Sequence, residues 1–222
     1  MEDILNEVHE VFASPDDICL DRLPDRFVLK LSNGSGTNLI CKDKDSLNLE
    51  NVRQTFRDYI AQANARAGRE WVYQSKKPAV IVAEKYLENA GSLRDYKYLC
   101  FNGVPEYIVC VDGRFEGDYN HVFYDCQWNK LDVVSDMAPA TAEYEKPENL
   151  DAMLMIAGKL SEDFPAARID LYSIQNRIYF GEITFFPGVD MSNLNQMNLI
   201  FCWVKDLMCQ TKFVNLARCL FW

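Results

Sequence analysis

RIDLYSIQNRIYFGEIT, residues 168–184, reads as two strands, Arg168–Tyr172 and Arg177–Phe185, around the turn Ser173-Ile174-Gln175-Asn176. Side chains alternate along a strand, so Arg168 and Asp170 share one face, as do Glu182 and Thr184. A hairpin symmetric about Asn176 places Asp170 opposite Glu182 and Arg168 opposite Thr184. Two carboxylates then converge across one pair of strands with a guanidinium beside them. Like charges directly opposite each other destabilise a sheet, and a bound divalent cation removes that conflict. Hard oxygen donors suit Mg2+, which takes a couple of carboxylates together with substrate phosphates. The plain alternative is a solvated face with ordinary surface charges. Against it stand the apolar neighbours Ile169, Leu171, Tyr179, Phe180 and Phe185.

Two upstream segments carry further candidates. In FVLKLSNGSGTNLICKDK, residues 27–44, an apolar strand from Arg26 to Leu31 ends around Lys30, and a second strand resumes over Thr37–Cys41. Between them lies the small-residue turn Ser32-Asn33-Gly34-Ser35-Gly36. Glycines let backbone N–H groups approach phosphate oxygens, and the hydroxyls of Ser32, Ser35 and Thr37 add donors. The G-x-x-x-x-G-K-[ST] spacing of a P-loop is absent, and taken alone such a turn is most often a plain hairpin. In AVIVAEKYLENAGSLRDYKYLCFNG, residues 79–103, the run Ala79–Ala83 suits a strand buried on both faces. It emerges at Glu84-Lys85-Tyr86-Leu87, whose backbone groups suit a purine edge. Asp95 and Lys97 share one face of the next strand. Outside this context Glu84 and Asp95 would be ordinary solvated strand ends.

The rest of the chain frames these segments. Helical spacing runs over residues 2–12 (Ile4, Leu5, Val8, Val11, Phe12), from about Leu49 to Arg66 (Val52, Phe56, Tyr59, Ile60, Ala63), and from Pro147 onward (Leu150, Met153, Leu154, Ala157, Leu160). Strands over Tyr96–Phe101 and Glu106–Val111 flank the hairpin turn Asn102-Gly103, and His121–Tyr124 follows Asp112-Gly113 as a further strand. Residues 132–147 read as a loop, and 188–222 as an apolar, weakly helical tail. With 23 basic against 33 acidic residues the net charge is −10, which argues against nucleic acid or an anionic membrane as partner. The eight cysteines form no C-x-x-C pair and sit in apolar stretches, as expected of thiols in a reducing compartment. No apolar run approaches the ~20 residues of a membrane helix, and MEDILNEVHE is not a signal peptide. The expectation is therefore a cytoplasmic protein with no transmembrane segment. His9 and His121 suggest no site. Asp43-x-Asp45 has the spacing of a metal-binding acidic pair, but it lies in a charged turn and reads as a solvated hairpin end.

The order strand–Lys–Gly-rich loop, apolar strand–Glu-x-x-Leu, then Arg-x-Asp and a Glu two residues before a polar group resembles the ATP-grasp superfamily. LPDRFVLKLSNGSG, DYKYLCFNG, ARIDLY and YFGEITFFP look like the TupA-like ATP-grasp family of bacterial surface-polysaccharide biosynthesis, from about Asp21 to Pro187. The resemblance implies an α+β fold of antiparallel sheets with packed helices, forming a nucleotide cleft between two lobes. It implies a residual N-terminal segment over 1–20, a small lobe over 21–85, a large lobe over 86–187 and a divergent tail over 188–222. Lys30 would bind nucleotide phosphates, with Ser32, Gly34, Ser35, Gly36 and Thr37 in the loop closing over them. Glu84 would face the adenine amino group, Tyr86 and Leu87 would add backbone contacts, Asp95 would meet the ribose, and Lys97 would lie near the phosphates. Asp170 and Glu182, with Thr184 where the superfamily usually has a residue such as Asn, would hold Mg2+. Arg168 would stabilise the transferring phosphoryl group. The implied activity is an ATP-dependent ligase that turns a carboxylate into an acyl phosphate for attack by an amine or other nucleophile, acting on a small carboxylate or a glycan. Two alternatives stay open. One is a nucleotide-binding remnant or partner-dependent subunit, suggested by a short N-terminal lobe. The other is a glycosyltransferase of the same pathway. The apolar tail is expected to pack on this body, a partner or another copy.

Overall fold

The computed structural model describes residues 2–34, 36–65, 78–87, 93–112, 120–133 and 140–185. Ser35, the Gly113 turn, Pro187 and the tail from 188 lie outside the described residues. The described residues fall into two compact units, one within Leu5–Glu88 and one within Met1–Ile4 and Asn89–Trp222.

The first unit is a four-stranded antiparallel sheet with one long helix. Its strands are β1 (Val8–Phe12), β2 (Phe27–Leu31), β3 (Asn38–Cys41) and β4 (Ile81–Lys85), in the order β1-β4-β2-β3. Alternation decides which side chains enter the core: Phe27, Leu29 and Leu31 of β2 are buried, while Val28 and Lys30 point the other way. Helix α1 (Leu49–Ala65) closes the core with Val52 and Phe56. The Asn48 side chain accepts from the Asn51 N–H at 3.0 Å and caps its start.

Two expectations change here. Residues 2–12 form a short 3-10 turn (Glu2–Ile4) followed by β1, not a helix. Val8 and Val11, which suggested a helical face, are about half exposed. Pairing of this segment with β4 overrides its spacing, and β-branched valines favour the extended form. In β4 only Ile81 and Ala83 are buried. Val82 and Glu84 are half-buried, so the strand has one core face and not two.

The second unit is a five-stranded antiparallel sheet built from β5 (Asp95–Phe101), β6 (Val104–Asp112), β7 (Asn120–Asp125), β8 (Ala166–Ile174) and β9 (Arg177–Thr184), ordered β7-β6-β5-β8-β9. Helix α2 (Leu150–Ser161) packs Leu150, Met153 and Ala157 onto one face, against Tyr96, Tyr98 and Cys100 of β5 and Ala167, Ile169 and Leu171 of β8. The β5–β6 turn has Asn102 at φ 50° and Gly103 at φ 81°, the two positive values of a tight two-residue hairpin. Cys41 is buried in the first core, and Cys100 and Cys110 in the second, all as free thiols. Among the described residues no helix is long and apolar enough to cross a membrane.

Candidate functional site

The face of the second sheet opposite α2 carries a line of charge. Lys97 of β5 pairs with Asp170 of β8, and Asp170 pairs with Glu182 of β9. Two residue pairs away, and so on the same face, Arg168 faces Thr184. This register depends on a bulge. The β8–β9 turn is centred between Gln175 and Asn176 (φ 50° and 63°), so Ile174 meets Arg177 and Leu171 meets Phe180. Gly181 is then the extra residue, and beyond it Asp170 meets Glu182. The bulge lets Ile178, Phe180 and Ile183 all pack towards the core while Glu182 and Thr184 stay on the polar face. A Cβ on Gly181 would lie 3.0 Å from the Asp170 carbonyl oxygen and 3.1 Å from the Tyr172 ring.

The carboxylates are compensated by neighbouring cations. Arg168 grips Asp170 with two bonds, Nε to Oδ1 at 2.7 Å and an Nη2 hydrogen to Oδ2 at 2.8 Å, and its Nη2 also reaches Glu182 Oε1 at 2.5 Å. Lys97 Nζ lies 2.5 Å from both Asp170 Oδ2 and Asp95 Oδ2. The Thr184 hydroxyl donates to Glu182 Oε1 at 2.9 Å. The like-charge conflict between Asp170 and Glu182 is thus met within the chain itself by Arg168 and Lys97. Asp170 is 2% exposed, whereas the Glu182 side chain is 60% exposed, so the line runs from the interior to solvent. Three acidic and two basic groups leave one formal negative charge.

Burial pushes the Asp95 carboxyl up to about 6. Lys97 opposes that rise and the negative Asp170 adds to it. Its Oδ1 is buried without a hydrogen-bond partner among the described residues. Burial works against the charge on Arg168, but Asp170 and then Glu182 outweigh it and hold the guanidinium above its ordinary value. Among the described residues no group of three or more His, Cys, Asp and Glu side chains is placed to share one metal ion.

The first unit gathers the other candidates. Lys30 faces Val82 and Val28 faces Glu84, so Lys30 and Glu84 are diagonal neighbours on the non-core face, with Nζ 2.7 Å from Oε2. The loop after β2 is anchored on both sides of Ser32: its N–H donates to the Val80 carbonyl at 2.9 Å, and its hydroxyl accepts from the Val80 N–H at 3.0 Å. The Gly34 N–H donates to the Leu31 carbonyl at 3.1 Å. Gly34 leaves room for Thr37, whose Oγ1 would lie 1.8 Å from an added Cβ. Gly36 takes φ 68°, the left-handed region. Thr37 Oγ1 is buried without a partner among the described residues. Tyr86 and Leu87 directly follow β4, with the Arg26 guanidinium 4.8 Å from the Tyr86 ring centre.

Sequence reasoning missed two features. Asp95 and Lys97, given separate roles from the resemblance, belong to one ionic line with Asp170. Asn6 touches Glu84 across 78 positions, and no motif signals it because the contact exists only once β1 pairs with β4.

A family model described as TupA-like ATPgrasp matches residues 8–198, a wider span than the Asp21–Pro187 over which the motifs are recognisable. None of the curated proteins matches the chain significantly. Among solved structures, the D-alanine–D-alanine ligase from Bacillus anthracis complexed with ATP is similar with a TM-score of 0.53 and 16% identity, over 94% of this chain and 59% of that one. A D-cycloserine synthetase follows at 0.49 and 12%, over 92% and 65%. The L-amino acid ligase from Bacillus licheniformis scores 0.44 at 14%, over 80% and 38%. The chain therefore spans about three fifths of the length of the first two structures.

Proposed function

This chain belongs to the TupA-like ATP-grasp family and has the α+β ATP-grasp fold, and from that premise we propose that it works as an ATP-dependent ligase in bacterial cell-surface polysaccharide biosynthesis. In this reading it activates a carboxylate as an acyl phosphate, which an amine or other nucleophile then attacks. One observation carries it: the Lys97–Asp170–Glu182 row with Arg168 bound across it. A hydrogen-bonded line of charge anchored in the interior positions groups before a reaction begins, and phosphoryl transfer is catalysed mainly by positioning and electrostatics.

The donor set fits a hard divalent cation. A carboxylate offers about four acceptor positions. Asp170 uses three of them and Glu182 two among the described residues, so both keep lone pairs on facing strands. Asp170 and Glu182, assisted by the Thr184 hydroxyl, would hold Mg2+, which would supply neutralisation of phosphate charge. Arg168 would use its Nη1 hydrogens, which bond no described residue, to stabilise the transferring group. Lys97 would hold Asp170 in its orientation, and Asp95 would offer to a ribose hydroxyl the oxygen that has no partner among the described residues. Lys30 would meet the phosphates beneath the loop of Ser32, Gly34, Ser35, Gly36 and Thr37. Glu84, Tyr86 and Leu87 would receive the adenine. The protein's place of work in this reading is the cytoplasm.

The test is calorimetric titration of ATP, with and without Mg2+, into the wild type and Asp170→Ala/Glu182→Ala. Binding that needs magnesium and weakens at least about tenfold in the double variant is expected, followed by ADP release when carboxylates and amines are supplied. Binding without ADP release under any substrate pair would favour the nucleotide-binding remnant. No binding by a folded wild type would overturn the reading.

A further inference from the structure

The segment just ahead of β1 supplies a side chain to which the proposed reaction gives no role. Asn6 Nδ2 lies 3.3 Å from Glu84 Oε2 and 2.9 Å from the Lys85 carbonyl oxygen. Its own Oδ1 accepts from the Glu7 N–H at 2.9 Å, and the Glu7 carbonyl accepts from the Lys85 N–H at 2.9 Å. The carboxamide is therefore held at both ends, by the backbone of β4 and by that of its own segment. Lys30 Nζ reaches the same Glu84 oxygen at 2.7 Å. Two donors converge on Oε2, while Oε1 accepts from no described residue.

A carboxylate whose one oxygen is pinned from two sides has little freedom to rotate, and its other oxygen is a pure acceptor. Such a group welcomes an amino group and opposes a carbonyl. A polar site built for one pattern rejects the analogue lacking it, because its acceptors are left unpaired. We propose that Asn6 is a positioning residue that, together with Lys30, orients Glu84 so that Oε1 selects the 6-amino group of adenine over a 6-oxo purine. This rests on the nucleotide reading of Glu84 given above and deepens it. The N-terminal segment then contributes to base selection as well as an edge strand.

The test compares Mg·ATP with Mg·ITP, which differ at the 6-position, by calorimetry on the full chain. Asn6→Ala removes the carboxamide, and Asn6→Asp keeps its shape while losing both donors. Thermal melts establish that each variant is folded. The expected result is a wild type that prefers ATP. Asn6→Ala then loses about tenfold in ATP affinity, the scale of one hydrogen bond to a charged group, with ITP changed by less than about twofold. Asn6→Asp is expected to lose at least as much. A wild type that binds ATP while the variants lose ATP and ITP equally, or lose neither, would overturn the role of Asn6 and leave the nucleotide reading standing. A folded wild type that binds neither nucleotide would overturn that reading, and the Asn6 assignment with it.

Discussion

Asp95 stands at the interior end of the charged line, where burial outweighs the pull of Lys97. Its folded value is raised from 3.8 to about 6. Between those two values the folded protein holds a proton that the unfolded chain has already released. The group's contribution to stability is therefore largest below about pH 4 and is lost as pH rises through about 6. This is opposite in sign to the usual salt-bridged carboxylate. A carboxyl-carbon NMR titration is expected to show Asp95 with a midpoint near 6. The stability of Asp95→Asn relative to wild type is expected to rise across the same window. A midpoint near 4 would mean that Lys97 and solvent together cancel the cost of burial. The residue types of this line were legible in the sequence, since Arg-x-Asp and Glu-x-Thr share faces by simple alternation. That Arg168 and Lys97 already satisfy the carboxylates was not, because a sequence lists charges without saying which of them meet.

In the β8–β9 hairpin the facing of Asp170 and Glu182 was reached from a turn centred on Asn176, and the structure arrives at the same pair by another route. The turn is centred half a residue earlier, and the bulge at Gly181 restores the register. Strict alternation through residue 181 would have put Glu182 on the same side as Phe180. A glycine inside an apolar strand is the one written sign of such a bulge. Gly181→Ala is expected to lower stability by about 1–3 kcal/mol in urea unfolding, because its methyl must displace either the Asp170 carbonyl or the Tyr172 ring. The same variant should weaken magnesium-dependent nucleotide binding through Glu182. Unchanged stability and binding would mean that β9 yields at little cost and that the register does not depend on this glycine. The misreading of β1 has the same origin as the missed Asn6. Spacing within eleven residues cannot report a partner strand about seventy positions away.

Across the molecule, each unit has a core of its own: Phe56 and the faces of β1–β4 in one, and α2 with β5–β9 in the other. Phe56 is 0% exposed, and Phe56→Ala is expected to cost about 3–5 kcal/mol. Hydrogen exchange should show the loss of protection concentrated in β1–β4, where its contacts are. Protection falling equally over β5–β9 would make the whole chain a single cooperative unit. The buried thiols turn this arrangement into a practical instrument. Burial raises Cys41, and it pushes Cys100 up to about 11. Alkylating reagents attack the thiolate of an accessible sulfur, so neither thiol reacts appreciably while its core is closed. An unmodified sample thus carries a stopwatch in each unit. Pulsed alkylation read by peptide mass, comparing the Cys41 and Cys100 fragments, would time the opening of the two cores separately in one tube, with no engineered probe.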